Sequence, residues 1–261
     1  MTGSVSLVSQ VARMARLTAS AMLNLALPRV CVSCARAVDD SDRGLVCGRC
    51  WSRVQRLPEP QCDRCGHPTA GRACRWCEQL PVFVRAARSY CWMPGGAASA
   101  IIHALKYDGW PAVGRDVGSR LARLAWPRDV VEERAMLIPV PLAAARARER
   151  GFNQSERMAR ELALHWGIPV ADDVLTRGRA TGTQTRLTPG ERLRNVAGAF
   201  HTSAERTRLR GLHVIIVDDV VTTGATLNAC ALALHQSGAR IISYVTFGRA
   251  PAIGDRCSPQ E

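Results

Sequence analysis

Four apolar residues, Val214, Ile215, Ile216 and Val217, run without interruption into two adjacent acids, Asp218 and Asp219. A short continuous apolar run is the pattern of a strand buried on both faces, which requires a sheet covered by helices on each side. The carboxylates then fall where the strand stops. Next come Thr222, Thr223, Gly224, Ala225 and Thr226, a small-residue turn whose hydroxyls and backbone N–H groups converge on an anion just as a helix begins near Ala225. A buried strand leading through an Asp turn into a capped helix has the same outline, but it has no need of two acids and three threonines.

An acid pair set before a phosphate cup suits a ligand with vicinal hydroxyls close to a phosphate monoester, which describes ribose 5-phosphate. The order of apolar run, two acids, two variable residues and T-T-G-x-T closely resembles the phosphoribosyl pyrophosphate (PRPP) motif of type I phosphoribosyltransferases. From about Pro28 to Phe247 the chain resembles the ComF family, in which a cysteine-rich front end precedes such a domain. The resemblance implies an α/β type I phosphoribosyltransferase fold, a parallel-rich sheet flanked by helices, preceded by a small zinc-ribbon module. It also implies catalytic roles for Asp218 and Asp219 and PRPP binding by Thr222, Thr223, Gly224, Ala225 and Thr226.

Eight of the eleven cysteines form four C-x-x-C pairs between residues 31 and 77. Cys31, Cys34, Cys47 and Cys50 make one zinc-ribbon quartet, and Cys62, Cys65, Cys74 and Cys77 make a second. Two structural Zn2+ sites follow, with closed thiolate shells that hold shape and leave no position open for a substrate. Pairing within each quartet and interleaving across the two both satisfy the spacing. His67 is read as a turn residue beside four sufficient cysteines. Metal-like spacing favours a reducing compartment over a disulfide framework.

The chain of 261 residues has room for one ample core and one small accessory module. Its formal charge of +13 falls by four if eight thiolates hold two zinc ions, and it stays basic, which suits phosphate-rich small molecules or nucleic acid. Of the 35 basic residues 34 are arginine, so the one lysine, Lys106, either marks a place where a compact ammonium is needed or is a neutral survivor on a helix end. Arg13 and Arg16 interrupt the apolar stretch at the start, which argues against a signal peptide, and no window approaches a membrane span. Cytoplasmic location is the expectation.

The expected organisation is an N-terminal helix within 1–27, a double zinc-ribbon module over 28–80, a phosphoribosyltransferase-like domain over 81–250 and a flexible tail over 251–261. The apolar face of the first helix docks on the body or rests on a membrane surface, without stable insertion. Within the module, Arg36, Arg43, Arg49, Arg53, Arg56, Arg64, Arg72 and Arg75 intersperse with Trp51 and Trp76. That pairing either contacts nucleic acid or packs around small metal knuckles.

Strands are expected over 82–92, 136–138, 174–175, 196–200, 214–217 and 240–247, with helices over 97–105, 113–125, 154–166 and 225–236. Asn153 is the cap of the third helix. Pro139 and Pro141 fix the backbone where the strand exits, and the resemblance to type I phosphoribosyltransferases implies that the loop after it, 142–153, holds the pyrophosphate. Arg146, Arg148 and Arg150 face either phosphate oxygens or solvent on a helical face, with Arg150 favoured because Gly151 follows it. Cys91 and Cys230 are expected as small buried hydrophobes, and Cys257 suggests no role.

By the ComF resemblance Lys106 faces the pyrophosphate, Arg150 joins it, and the Gly- and Thr-rich stretch 177–195 is a lid. The spacings Thr181 to Gln184 and Arg192 to Asn195 match the family there. A lid would keep water from an oxocarbenium-like centre. Mg2+ bound with PRPP would neutralise the leaving group as an acceptor nitrogen attacks the ribose C1 carbon with inversion. The family resemblance further implies single-stranded DNA and a DNA-uptake helicase as partners in natural transformation. An alternative is a non-catalytic single-stranded-DNA-binding module that uses PRPP or a related sugar phosphate as a regulatory ligand.

Overall fold

The computed structural model describes residues 29–38, 44–69, 74–107, 110–178, 198–203 and 208–251. The helix expected before residue 28, the lid positions Thr181, Gln184, Arg192 and Asn195, and Cys257 lie outside these residues.

Four strands form one parallel sheet: β1 (Val84–Trp92), β2 (Arg134–Pro139), β5 (His213–Val221) and β6 (Ile241–Arg249), in the order β1-β6-β5-β2. A small antiparallel hairpin, β3 (Leu175–Arg177) with β4 (Phe200–Thr202), sits apart from it. Central strand β5 carries the apolar run, and alternate residues enter two cores. Ile215 and Val217 join the core that holds α2 (Gly96–Lys106), α3 (Val113–Leu121) and α6 (Gln154–Trp166), while Val214 and Ile216 join the one that holds α7 (Ala225–Gln236). All four are fully buried, each contributing about 1.5–3 kcal/mol of burial free energy.

Helices α3 and α6 lie unusually close. A Cβ on Gly118 would stand 2.6 Å from Cβ of Glu161 and 2.8 Å from the carbonyl oxygen of Met158, so only glycine admits this approach. Asn153 caps α6 as expected, its side chain accepting from Ser155 N at 3.0 Å.

Three local expectations change. Strand β5 continues through both acids to Val221, because β6 runs beside it to Arg249 and keeps the ladder paired, with Asp218 opposite Thr246 and Val221 opposite Arg249. It is the neighbour β2 that stops, at Pro139. The expected loop 142–153 contains a helix, α5 (Ala144–Arg150), closed by left-handed Gly151. The helix over 113–125 ends at Leu121, and a short α4 (Arg128–Glu133) follows.

The cysteine module, with its short α1 (Gly48–Ser52), shares the body's core. Trp51 packs edge-on against Tyr90 and Phe247, with ring centroids 6.2 Å apart in each case, and is 8% exposed. It therefore takes the packing reading over base stacking. Arg64 is committed to the backbone, donating to the carbonyls of Cys77, Leu80, Pro81 and Val84. Among the described residues, no helix is long and apolar enough to cross a membrane.

Candidate functional site

The acids, the threonine turn and two further elements enclose a cavity of about 330 Å3 at the C-terminal end of β5. Open parallel sheets place ligands beyond the carboxyl ends of their strands, and this volume suits a small molecule. Its walls bring together Lys106, Arg146, Arg150, Asp218, Asp219 and residues 222–226, which lie on three separate segments of the sequence. Arg148 is exposed and lies outside this wall.

Lys106, the last residue of α2, sets Nζ 2.5 Å from Oδ2 of Asp219. The same oxygen accepts from Gln154 Nε2 at 3.4 Å, and Gln154 Oε1 accepts from Arg150 Nη1 at 2.9 Å. Asp218 is more enclosed. Its Oδ1 accepts from Ser155 Oγ at 3.0 Å and from the backbone N of Asp219 at 2.9 Å. Burial first, and then the charge of Asp219, pushes its carboxyl up to about 7, against the opposing pull of those hydrogen bonds and of Lys106. The pair is thus a split one, with one acid tied to an ammonium and the other poised near neutrality.

The turn is built for close backbone approach. Gly224 stands at φ 74°, the left-handed region, immediately before α7, and Thr223 Oγ1 accepts from Ala225 N at 3.4 Å. Thr222 is exposed, and the helix N-terminus opens toward the cavity. Arg150 lies over the ring of Tyr107 at 4.9 Å. Its Nε is buried without a hydrogen-bond partner among the described residues, a donor available to an anion. Arg177 also lines the cavity, and burial followed by the nearby charge of Arg146 holds it below the usual arginine range.

Gln154 and Ser155 stand out in the sequence only as the start of an amphipathic helix. The signal available is their position: two polar residues just after a capping Asn, on a helix leaving the loop beyond β2. Both are buried and touch the acids.

The quartets form within themselves, Cys31, Cys34, Cys47 and Cys50 in one cluster and Cys62, Cys65, Cys74 and Cys77 in the other, with all sulfurs of a cluster within 4.8 Å of one another. Interleaving is excluded by this grouping, and His67 belongs to neither cluster but stacks on Trp76 at 5.7 Å. Four thiolates about 2.3 Å from zinc span tetrahedral edges of about 3.8 Å. The Cys34–Cys47 separation is 3.8 Å, and Cys62–Cys77 is 3.4 Å, so the donor sets fit the ion. Burial raises these thiols, yet amide hydrogen bonds bring Cys31 and Cys62 down to about 7 while Cys50 rises to about 12, an uneven sharing of protons that a dication would displace.

A parallel sheet with this acid pair and turn, whose residues 147–255 match the phosphoribosyl transferase domain and whose residues 22–81 match the double zinc ribbon domain, defines a phosphoribosyltransferase-type fold carrying a zinc-ribbon module. The DNA utilization protein YhgH of Salmonella typhimurium is 33% identical over 229 residues, covering 84% of this chain and 96% of that protein. Competence protein ComFC of Bacillus subtilis is 27% identical over 209 residues, covering 74% of this chain and 79% of its own. The chain belongs to the ComF family. A solved structure of glutamine PRPP amidotransferase from B. subtilis, complexed with ADP and GMP, is similar over 59% of this chain and 32% of that one, at 20% identity and a TM-score of 0.39.

Proposed function

We propose that the cavity binds PRPP, or a related sugar phosphate, and serves phosphoribosyl transfer to an acceptor nitrogen. The observation that carries this reading is the convergence of Lys106, Asp218, Asp219 and the 222–226 turn on one cavity. Asp218 and Asp219 accept from the ribose hydroxyls and offset positive charge that develops on the ring. Thr222, Thr223, Gly224, Ala225 and Thr226 hold the 5-phosphate, and Lys106 and Arg150 face the pyrophosphate. Magnesium bound with the ligand's own oxygens would supply charge neutralisation of the leaving group.

On the same reading the body over 81–250 acts in the cytoplasm beside the module over 28–80. The names of the relatives, a DNA utilization protein and a competence protein, support service in DNA uptake. Calorimetric titration of the zinc-loaded chain with PRPP and magnesium tests the ligand. Wild-type binding that is lost in the Asp218→Asn, Asp219→Asn double variant, with folding and zinc content kept, is the expected result; unchanged affinity in the variant would overturn the site.

A second reading is a single-stranded-DNA-binding module in which the sugar phosphate is regulatory. The exposed Arg36, Arg49, Arg53 and Arg56 of the knuckles favour it. Turnover of PRPP to pyrophosphate that depends on a particular acceptor supports the first reading. DNA binding with a steep salt dependence, shifted by PRPP without turnover, supports the second.

A further inference from the structure

The second cysteine quartet and the threonine turn share a wall. Arg249, the last residue of β6, pairs in register with Val221, one residue before the turn. Its side chain is buried and reaches into the knuckle, where Nη2 donates to the carbonyl of Cys65 and the guanidinium covers the ring of Trp76 at 5.5 Å. A second contact comes from the other side of the turn. Asn228, in the first turn of α7, donates its backbone N to Gly224 O at 2.8 Å and its Nδ2 to the carbonyl of Gln79 at 2.9 Å, while its Oδ1 accepts from Tyr244 at 3.1 Å. Gln79 closes the 3-10 turn Arg75–Gln79 that carries Cys77.

Between these contacts lies a void of only about 20 Å3, faced by Cys65 and Trp76 on one side and by Thr223 and Gly224 on the other. That is room for about one water, so a shift of the knuckle is passed to the turn by contact. The first quartet reaches a different part of the body, where Leu45 N donates to Asp116 Oδ2 at 2.7 Å on α3 and Trp51 packs on Phe247.

We infer that the metal held by Cys62, Cys65, Cys74 and Cys77 is an allosteric element of the sugar-phosphate site. With the quartet closed, Arg249 and Asn228 hold the 222–226 turn in its binding shape; opening the quartet lowers affinity for a phosphate monoester. The inference rests on the sugar-phosphate reading above. Linkage makes it reciprocal, so ligand at the turn tightens zinc at this quartet by the same factor.

The test uses the full, zinc-loaded chain and ribose 5-phosphate, which reaches the turn without a metal-chelating pyrophosphate. Calorimetry measures its binding, and the equilibrium partition of zinc between the protein and a chromophoric chelator is measured with and without it. In competition with the chelator, one of the two zinc equivalents is expected to be held more tightly when ribose 5-phosphate is bound, by on the order of tenfold, and the other with unchanged affinity. Asn228→Ala and Arg249→Lys are expected to keep both zinc ions, weaken ribose 5-phosphate and reduce the protection. Binding by the wild type with both zinc affinities the same in either condition overturns the coupling and leaves the sugar-phosphate reading standing. Failure of the wild type to bind ribose 5-phosphate or PRPP overturns both. Should either variant not fold, the wild-type zinc-affinity measurement decides the coupling by itself.

Discussion

Ser155 Oγ lies 3.0 Å from Oδ1 of Asp218, so the first turn of α6 donates to an acid that burial and the Asp219 charge push up to about 7 from 3.8. The folded protein then holds a proton that the unfolded chain has released. This group's stability contribution is fully present below about pH 4 and is lost as pH rises through about 7. Asp218→Asn removes that dependence. Its melting temperature should gain on the wild type as pH rises from about 4 to about 7 and hold that gain above, by roughly 2–4 °C for each kcal/mol, as read by scanning fluorimetry. A gap that stays constant across the range would refute the assignment.

Lys106→Ala leaves Asp219, whose side chain is 9% exposed, without a cation, held by the backbone N of Val220 at 2.7 Å and the long Gln154 contact. Stripping one partner from a partly buried pair should cost about 1–3 kcal/mol in urea unfolding. It should also raise Asp218 further, because Lys106 helps to hold that carboxyl down. Lys106→Arg keeps the charge but replaces a compact ammonium with a planar fork, and intermediate stability is expected. Wild-type stability in the alanine variant would show that the pair contributes nothing.

Gly224→Ala puts a side chain at φ 74°, at a cost of about 1–2 kcal/mol. The added Cβ would come no nearer than 3.8 Å to Asn228, so the cost is in the backbone and not in a clash. Gly224→Asn tolerates that conformation better. PRPP affinity should fall in the order wild type, Asn, Ala; equal affinities would mean that the turn's shape is not what holds the ligand.

Trp51→Ala removes a ring covered by Tyr90, Phe247 and the Arg120 guanidinium, which lies 3.5 Å from its centroid. A loss of about 3–5 kcal/mol is expected. Because module and body share this core, the whole cooperative transition should move, followed by far-UV circular dichroism in denaturant. An unfolding midpoint of the sheet that does not move would disprove the shared core.

What could be read in the sequence was local. The apolar run, the acid pair and the glycine turn announce a strand and a helix start within fourteen residues, and Ala225 does begin α7. The cysteine spacing likewise marks two quartets of thiols, and the fold selects pairing within each over the interleaving that the same spacing allows. What escaped depended on distant neighbours. Asp218 and Asp219 remain in a strand only because β6, which follows the whole of α7 in the chain, continues beside them. Gln154 and Ser155 look like an ordinary helix start until the fold sets them against the acids. Arg64 and Arg249 count as surface charge in any tally of composition, yet both are committed to carbonyl oxygens. The segment 144–150 differs in kind: its alanines, arginines and glutamate are good helix formers, in line with the helical-face reading of its arginines, while the flanking prolines and the family resemblance favour a loop.

The lone ε-amine of this chain lines the cavity, with about a fifth of its side chain open to solvent. An amine-directed acylating reagent therefore has one side chain to modify, besides the α-amino group, and that side chain reports on the cavity itself. Slower labelling of Lys106 in the presence of a test compound would register occupancy without any substitution or engineered probe. The arginine-rich composition thus makes the unaltered protein its own site-selective sensor for screening acceptors.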